Sequence, residues 1–371
     1  MLTSAARHTI RHSSRLWNNY SITIPRNTKS LKRKLTTSQE IKHTWRTTYN
    51  DILPSLFDTS YMLKAVKDME TLLKTENSKH KFYNITCIIE VRNIRMPYTS
   101  HPFFDTDKKH VIVYTHSNYL SEEKKEDIKR NVMQDKKSVV LFVDLYKHKK
   151  ISDVEPFRRQ ILETMIEGAE EYNSSNEDKL THISGLVVGL PNVGKSALTY
   201  VLSKETTKIK REHKTKHLPR VNFKPGVTTF IKPHWFDLYS DKGDITYKSK
   251  LIDTPGISLP LPYIKKQTNK EFMIQLGLIG VLPAKATKKR APILVQYLLY
   301  RLNKAKIYDY VSHFKLEERT NDVNLLFEAM DKKLKGRLER KNDRNKYAEQ
   351  IIMDWRNGLF GRDIILDSDY D

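Results

Sequence analysis

Residues Gly189-Leu190-Pro191-Asn192-Val193-Gly194-Lys195-Ser196 fit the spacing G-x-x-x-x-G-K-S residue for residue. The chemistry such a segment can do is phosphate binding. Its glycines let backbone N–H groups curl around phosphate oxygens, and a helix that follows adds the positive end of its dipole. Lys195 is expected to reach the β- and γ-phosphates of a nucleotide, and the Ser196 hydroxyl to ligate Mg²⁺. The flanks agree: an apolar run at 183–188 precedes the glycines, and 197–203 can begin a helix.

Two shorter segments lie downstream. Asp253-Thr254-Pro255-Gly256 closes an apolar run at 250–252. A carboxylate at a strand end can join a magnesium shell, with the Gly256 N–H against the γ-phosphate. Pro225-Gly226-Val227-Thr228-Thr229 lies between, and Thr228 could offer Mg²⁺ a second hydroxyl when a γ-phosphate is present. Each is an ordinary turn when it stands alone. In the order phosphate loop, threonine, D-x-x-G, they describe the phosphate half of a GTPase, ahead of kinase-type or general ATPase readings.

The elements that must position these residues are short β-rich runs at 85–91, 110–114, 138–145, 183–190, 229–236 and 247–253, with helix-like stretches at 122–133 and 156–173. Alternating strands and helices predict a parallel, doubly wound sheet. Beyond about residue 259 the strand signal stops, and 292–302, 325–340 and 347–355 carry helical periodicity. A GTPase sheet ordinarily begins with the strand before its phosphate loop. Here three strand runs come before that strand and only two follow it. A complete sheet then requires the base-reading half to come first. The expected fold is an α/β P-loop GTPase sheet with circularly permuted motif order, plus a C-terminal α-helical domain. The expected boundaries are residues 1–37, a presequence, 38–260, the GTPase domain, and 261–371, the helical domain.

Composition narrows the classes further. The net charge of +22 favours a polyanionic partner. Residues 1–37 hold no Asp or Glu and eight basic residues among many Ser and Thr, the composition of a mitochondrial transit peptide or of a basic nucleic-acid-binding arm. The rest of the chain stays basic. No apolar run approaches the roughly 20 residues of a spanning helix. One cysteine, Cys87, excludes an internal disulfide framework and a zinc cluster, and reads as a buried structural thiol.

With these motifs in their order, the chain resembles the permuted YlqF/RbgA-type ribosome-assembly GTPases, and within them the fungal mitochondrial ribosome-associated branch. Ile88-Ile89-Glu90-Val91-Arg92-Asn93-Ile94-Arg95-Met96-Pro97 is similar to the family's strand ending in D-A-R-x-P, and Trp355-Arg356-Asn357-Gly358-Leu359-Phe360-Gly361 to its F-R-x-G-x-L-G ending. The resemblance spans about residues 57–367. It implies GTP bound by Asn192, Val193, Gly194, Lys195, Ser196, Ala197 and Gly256. It also implies Mg²⁺ at Ser196, Thr228 and Asp253, with Asn192 a candidate potassium ligand. The implied partners are the mitochondrial large ribosomal subunit and its rRNA. The implied location is the matrix, with peripheral contact on the inner membrane and no transmembrane segment.

The sequence departs from the family in two places. Where the guanine loop should read N-K-x-D, this chain has Thr115-His116-Ser117-Asn118. The family's aspartate accepts two hydrogen bonds from guanine, whereas Asn118 offers one acceptor and two donors. An unsatisfied donor pair costs roughly 1–3 kcal/mol. Either guanine selectivity is weakened or shifted toward a base with a carbonyl there, or Ser117 or a backbone carbonyl fills the role. Asp144 and Leu145 stand at the second base-contacting segment, again without its usual small residues. The position after D-x-x-G is Ile257, not a water-orienting glutamine, and the family's G-H-x-x-K-A histidine falls on Tyr61. A phenol, with an ordinary pKa near about 10, could align water but is a poor base at neutral pH; alternatively Tyr61 only packs. Thr228, Gly256 and Tyr61 are thus the catalytic candidates, and slow intrinsic hydrolysis that depends on the ribosome is expected. Basic stretches at 204–216 and 332–344 are either RNA contacts or solvated faces. The alternative to a GTP-driven assembly switch is a non-hydrolysing, base-relaxed RNA scaffold; an ATP-dependent factor is a third reading.

Overall fold

The structure is a computed structural model that describes residues 84–99, 108–133, 138–145, 154–177, 179–180, 182–203, 231–239, 245–256, 270–282, 287–288, 290–334 and 344–368. The expected presequence, Tyr61, Thr228, Ile257 and the basic stretch 204–216 lie outside the described residues, as does most of 332–344.

Strands β1 (Cys87–Asn93), β2 (Lys109–Thr115), β3 (Ser138–Val143), β4 (His182–Val188), β5 (Lys232–Tyr239) and β6 (Ile245–Asp253) form one sheet of order β3-β2-β1-β4-β6-β5. β1 is buried along its whole length and β4 along all but its first residue. That is the signature of central parallel strands covered on both faces, and it explains why their apolar runs are continuous rather than alternating. Cys87 is among these residues, fully buried, and burial pushes its thiol up from the ordinary range.

The expectation of an all-parallel sheet needs one correction. β5 pairs antiparallel with β6, while every other pair is parallel. Only five residues separate β5 from β6, far fewer than the dozen or so a parallel crossover requires. A hairpin is the only connection that length allows.

Helix α1 (Glu122–Val132) covers β3, and α2 (Glu155–Ser175) covers β1, β2 and β4. α1 has Glu122 and Glu123 in its first turn and Lys129 and Arg130 in its last, matching the helix dipole. α2 has Pro156 in its first turn, where a residue without an N–H fits. Helix α3 (Lys195–Ser203) follows the phosphate loop directly. The C-terminal part contributes α4 (Lys270–Leu278), α5 (Ala291–Lys304), α6 (Asp309–Phe314), α7 (Val323–Leu334) and α8 (Arg344–Arg356).

These last helices share the core of the sheet. Leu298, Ile351 and Trp355 belong to the same buried apolar cluster as Val91, Val187 and Leu198. A second, smaller cluster joins Ile112, Tyr114, Ile128 and Val140 to Ile365 of the C-terminal tail. The tail therefore fills the apolar face between β2, β3 and α1.

Candidate functional site

Connections reverse direction between β1 and β4. From β1 the chain moves outward through β2 to β3; from β4 it moves the other way, to β6 and β5. In open α/β sheets the crevice at such a reversal, beyond the carboxyl ends of the strands, is where ligands bind. Four of the segments singled out from sequence, those among the described residues, lie there, because each ends or follows a strand at its carboxyl end. The phosphate loop follows β4, Asp253 ends β6, Thr115 ends β2, and Asp144-Leu145 follow β3.

The phosphate loop is held in shape by backbone geometry. Gly189 has φ 144° and Gly194 φ 101°, and Asn192 sits in the left-handed region at φ 59°. Asn is one of the few side chains that tolerates that region. At Gly256 a Cβ would stand 2.6 Å from Pro191 Cα, so D-T-P-G lies against the phosphate loop as closely as two backbones can. Thr254 fastens that approach: its hydroxyl donates to the Val187 carbonyl at 2.7 Å.

Ser196 Oγ donates to Asp253 Oδ2 at 2.9 Å. This joins the residues that resemblance assigns to magnesium. A hydroxyl and a carboxylate are hard oxygen donors, suited to Mg²⁺ when the remaining positions come from water and phosphate. No group of three or more His, Cys, Asp or Glu side chains able to hold a metal by itself occurs among the described residues. The set therefore fits a cation shared with a bound phosphate. The chemistry such a cation supplies is neutralisation of phosphate charge.

Lys195 is folded back onto its own loop, with Nζ donating to the carbonyls of Gly189 at 3.1 Å and Leu190 at 2.8 Å. Burial pushes its pKa down to about 8, with Asp253 acting in the opposite direction. A native pKa below the unfolded value means the unfolded chain holds the extra proton between the two. The penalty is complete below about pH 8 and fades as pH rises toward the ordinary value of 10.5. We therefore expect nucleotide-free Lys195→Met protein to be more stable than wild type at pH 7, by up to about 3 kcal/mol. The difference should shrink between about pH 8 and 10, followed by urea unfolding; a pH-independent difference would contradict the assignment.

The base-side segment reaches the phosphate loop through Thr115. Its hydroxyl, fully buried, donates to the Val193 carbonyl at 2.7 Å and lies 3.2 Å from the Arg92 carbonyl. Thr115 Cγ2 and Leu145 Cδ1 both lie beside Gly194, at 3.2 and 3.5 Å from where its Cβ would be. Leu145, expected from sequence to replace a small residue, and Thr115 are thus packed against the phosphate loop. His116 has φ 59°, and burial, with Arg95 adding to it, pushes its pKa down to about 4, so the imidazole is neutral. Ser117–Tyr119 then form a single 3-10 turn. Ser117 is buried, Asn118 half-buried, and Asp144 buried.

Asn192 has a partner that sequence reasoning missed. Its Nδ2 donates to the Gly280 carbonyl at 2.8 Å, just beyond α4. Gly280 has φ 83°, and Arg356, at the end of α8, donates to the Gly277 and Leu278 carbonyls at 2.7 and 2.6 Å. The phosphate loop is thereby tied to the C-terminal helices. Nothing in the local pattern around residue 280 signals this contact, which depends on a close approach 88 residues away in sequence. Arg95 and Tyr119 were likewise given no role from sequence.

Comparison with known proteins agrees with the motifs. Residues 184–295 match a family model described as 50S ribosome-binding GTPase. The chain is 27% identical to mitochondrial ribosome-associated GTPase 1 of Xenopus tropicalis, covering 74% of this chain and 78% of that one. It is 24% identical to the protein of the same name in Mus musculus, covering 83% and 89%, and 24% identical to mitochondrial GTPase 1 of Aedes aegypti, covering 83% and 92%. Among solved structures, GNP-bound YlqF from T. maritima aligns with a TM-score of 0.46 at 19% identity, covering 83% of this chain and 99% of that one.

Proposed function

We propose that this relative of the mitochondrial ribosome-associated GTPases binds GTP with Mg²⁺ in the crevice between β1 and β4 and hydrolyses it as a switch in assembly of the mitochondrial large ribosomal subunit. The observation that carries the reading is the Ser196–Asp253 pair beside a buried Lys195, on a phosphate loop closed from the base side by Thr115. Among the described residues no carboxylate is bonded to the buried Lys195 ammonium, which is costly, and a triphosphate is the ligand that would offset it. In this reading Asn192, Val193, Gly194, Lys195, Ser196 and Ala197 surround the β- and γ-phosphates, and Gly256 donates its N–H to the γ-phosphate. Ser196, Asp253 and Thr228 hold Mg²⁺. Thr115, His116, Ser117, Asn118, Asp144 and Leu145 form the base end. Asn192 is the potassium ligand, with its amide held by Gly280.

The motif order supports circular permutation: three strands of the sheet precede β4 and its phosphate loop. We place the boundaries at 1–37, 38–260 and 261–371, with the first segment a transit peptide to the matrix. Among the described residues no helix is long and apolar enough to cross a membrane, and peripheral attachment to the inner membrane is the arrangement we favour. Tyr61 is the water-aligning group in this scheme, which makes intrinsic turnover slow and ribosome-dependent. The net charge of +22 supports rRNA as partner.

The test is nucleotide binding by the protein with Mg²⁺ and K⁺, comparing GTP, XTP and ATP, followed by turnover with and without large ribosomal subunits. We expect GTP to bind at least about tenfold tighter than ATP, a difference of about 1.4 kcal/mol, and turnover to rise when subunits are added. Base-blind binding without turnover would favour the non-hydrolysing scaffold, which the substitution at Asn118 makes the second reading.

A further inference from the structure

The base end of the pocket rests on a cation supplied from β1 and on the C-terminal tail. Arg95, just past β1, is 2% exposed. Its guanidinium lies between two rings, 4.2 Å from the centre of Tyr119 and 3.9 Å from that of Trp355. Nη2 donates to the Trp355 carbonyl at 2.6 Å and Nη1 to the Arg356 carbonyl at 3.2 Å. Both carbonyls belong to the last turn of α8, so the cation meets the negative end of a helix dipole. Nε finds no hydrogen-bond partner among the described residues. Such a buried cation is tolerated only while rings and carbonyls enclose it.

Tyr119 closes the 3-10 turn that carries Ser117 and Asn118. The tail meets the same turn at two further points and the start of α1 at a third. Gly358, at φ 70°, leaves no room for a side chain, since a Cβ there would stand 2.3 Å from Tyr119 Cε1. The Asp363 N–H donates to the Tyr119 carbonyl at 2.7 Å. Asp363 Oδ1 accepts the Ser121 N–H at 2.7 Å, and its other oxygen pairs with Lys124 at 3.0 Å.

We propose that Arg95 is a positioning residue that couples the C-terminal tail, residues 355–363, to the base-reading turn, so that the turn takes its nucleotide-binding shape only with the tail docked. The inference rests on reading 115–118 as the base-contacting loop. It adds a regulatory consequence: a partner that engages the end of α8 shifts base affinity, and bound nucleotide tightens the tail by the same factor. Phosphate binding is left alone by the Arg95 contacts, because the tie between the tail and the phosphate loop runs through the Arg356 guanidinium to the Gly277 and Leu278 carbonyls and not through Arg95.

The experiment uses the full chain and calorimetric titration with GDP and, separately, with inorganic tripolyphosphate, alongside thermal unfolding. Arg95→Met and Asp363→Ala should weaken GDP binding about tenfold, the penalty when the competent turn is only about a tenth populated. Tripolyphosphate affinity should stay unchanged. Arg95→Lys keeps the charge but not the planar fork, and should fall between wild type and Arg95→Met. Hydrogen exchange at 355–363 should slow in wild type on adding GDP and not in Arg95→Met. Unaltered GDP affinity in both variants overturns the proposal. So does a parallel loss of GDP and tripolyphosphate binding, which would mark mere support of the fold. Should Arg95→Met not fold, Asp363→Ala decides alone, because Asp363 is only half-buried. Wild-type protein that does not prefer GDP over ADP would remove the base-loop reading and this inference with it. A wild-type preference retained in the variants would remove the inference only.

Discussion

Lys195→Ala is expected to lose nucleotide binding by about a thousandfold, roughly 4 kcal/mol. In the structure its ammonium donates to the Gly189 and Leu190 carbonyls, at 3.1 and 2.8 Å. With nucleotide present, the same donors would be offered to phosphate oxygens, and truncating one partner of a buried charge pair costs about 2–5 kcal/mol or more. Binding and stability should move in opposite directions. Removing a desolvated ammonium relieves the nucleotide-free protein, so the variant should unfold no earlier than wild type while failing to bind. This separates a lost ligand contact from a lost fold. Fluorescent-nucleotide titration together with a melting curve makes the check, and affinity within about threefold of wild type would refute the phosphate-binding role.

Gly189→Ala should be the most disruptive single substitution in the phosphate loop. The residue has φ 144°, where an L side chain is strained, and the added Cβ would lie 2.3 Å from the Val91 carbonyl oxygen. A strained backbone costs about 1–3 kcal/mol. The clash adds to that, because Val91 lies in a central strand, registered against Val113 of β2 and directly after the Glu90–Val188 pair of β1 and β4, so its carbonyl cannot move without disturbing the strand. We expect destabilisation of at least about 3 kcal/mol and loss of nucleotide binding. Gly194→Ala makes the useful contrast. It is also strained, at φ 101°, but its new Cβ would meet side chains rather than backbone, the Thr115 methyl at 3.2 Å and Leu145 Cδ1 at 3.5 Å. It should cost less stability while still lowering affinity. Equal stability of Gly189→Ala and wild type in urea unfolding would contradict the geometry at this loop.

The local chemistry of the site was legible in the chain because each piece is written in consecutive residues. The phosphate loop needs glycines at fixed offsets, a lysine and a hydroxyl, and all lie within eight positions. The strands before and after it announce themselves as apolar runs, since central parallel strands are buried on both faces. Five of the six observed strands overlap their predicted runs nearly end to end, and β5 begins three residues later than expected. The runs also gave the order in which β1, β2 and β3 precede the phosphate loop and β5 and β6 follow it.

What the sequence by itself determined about this protein is therefore its candidate phosphate- and cation-binding residues, its strands and their order along the chain. The tertiary structure decided the rest. It set the antiparallel hairpin at the sheet edge and the shared core of sheet and C-terminal helices. It also brought Thr115 and Leu145 under the phosphate loop, tied Asn192 to Gly280, and enclosed Arg95 between Tyr119 and Trp355. The physical reason is range. A turn or a strand is specified by neighbours a few residues apart. A buried cation held by carbonyls 260 residues away has no local pattern, and exists only when folding brings a strand end and a helix end together.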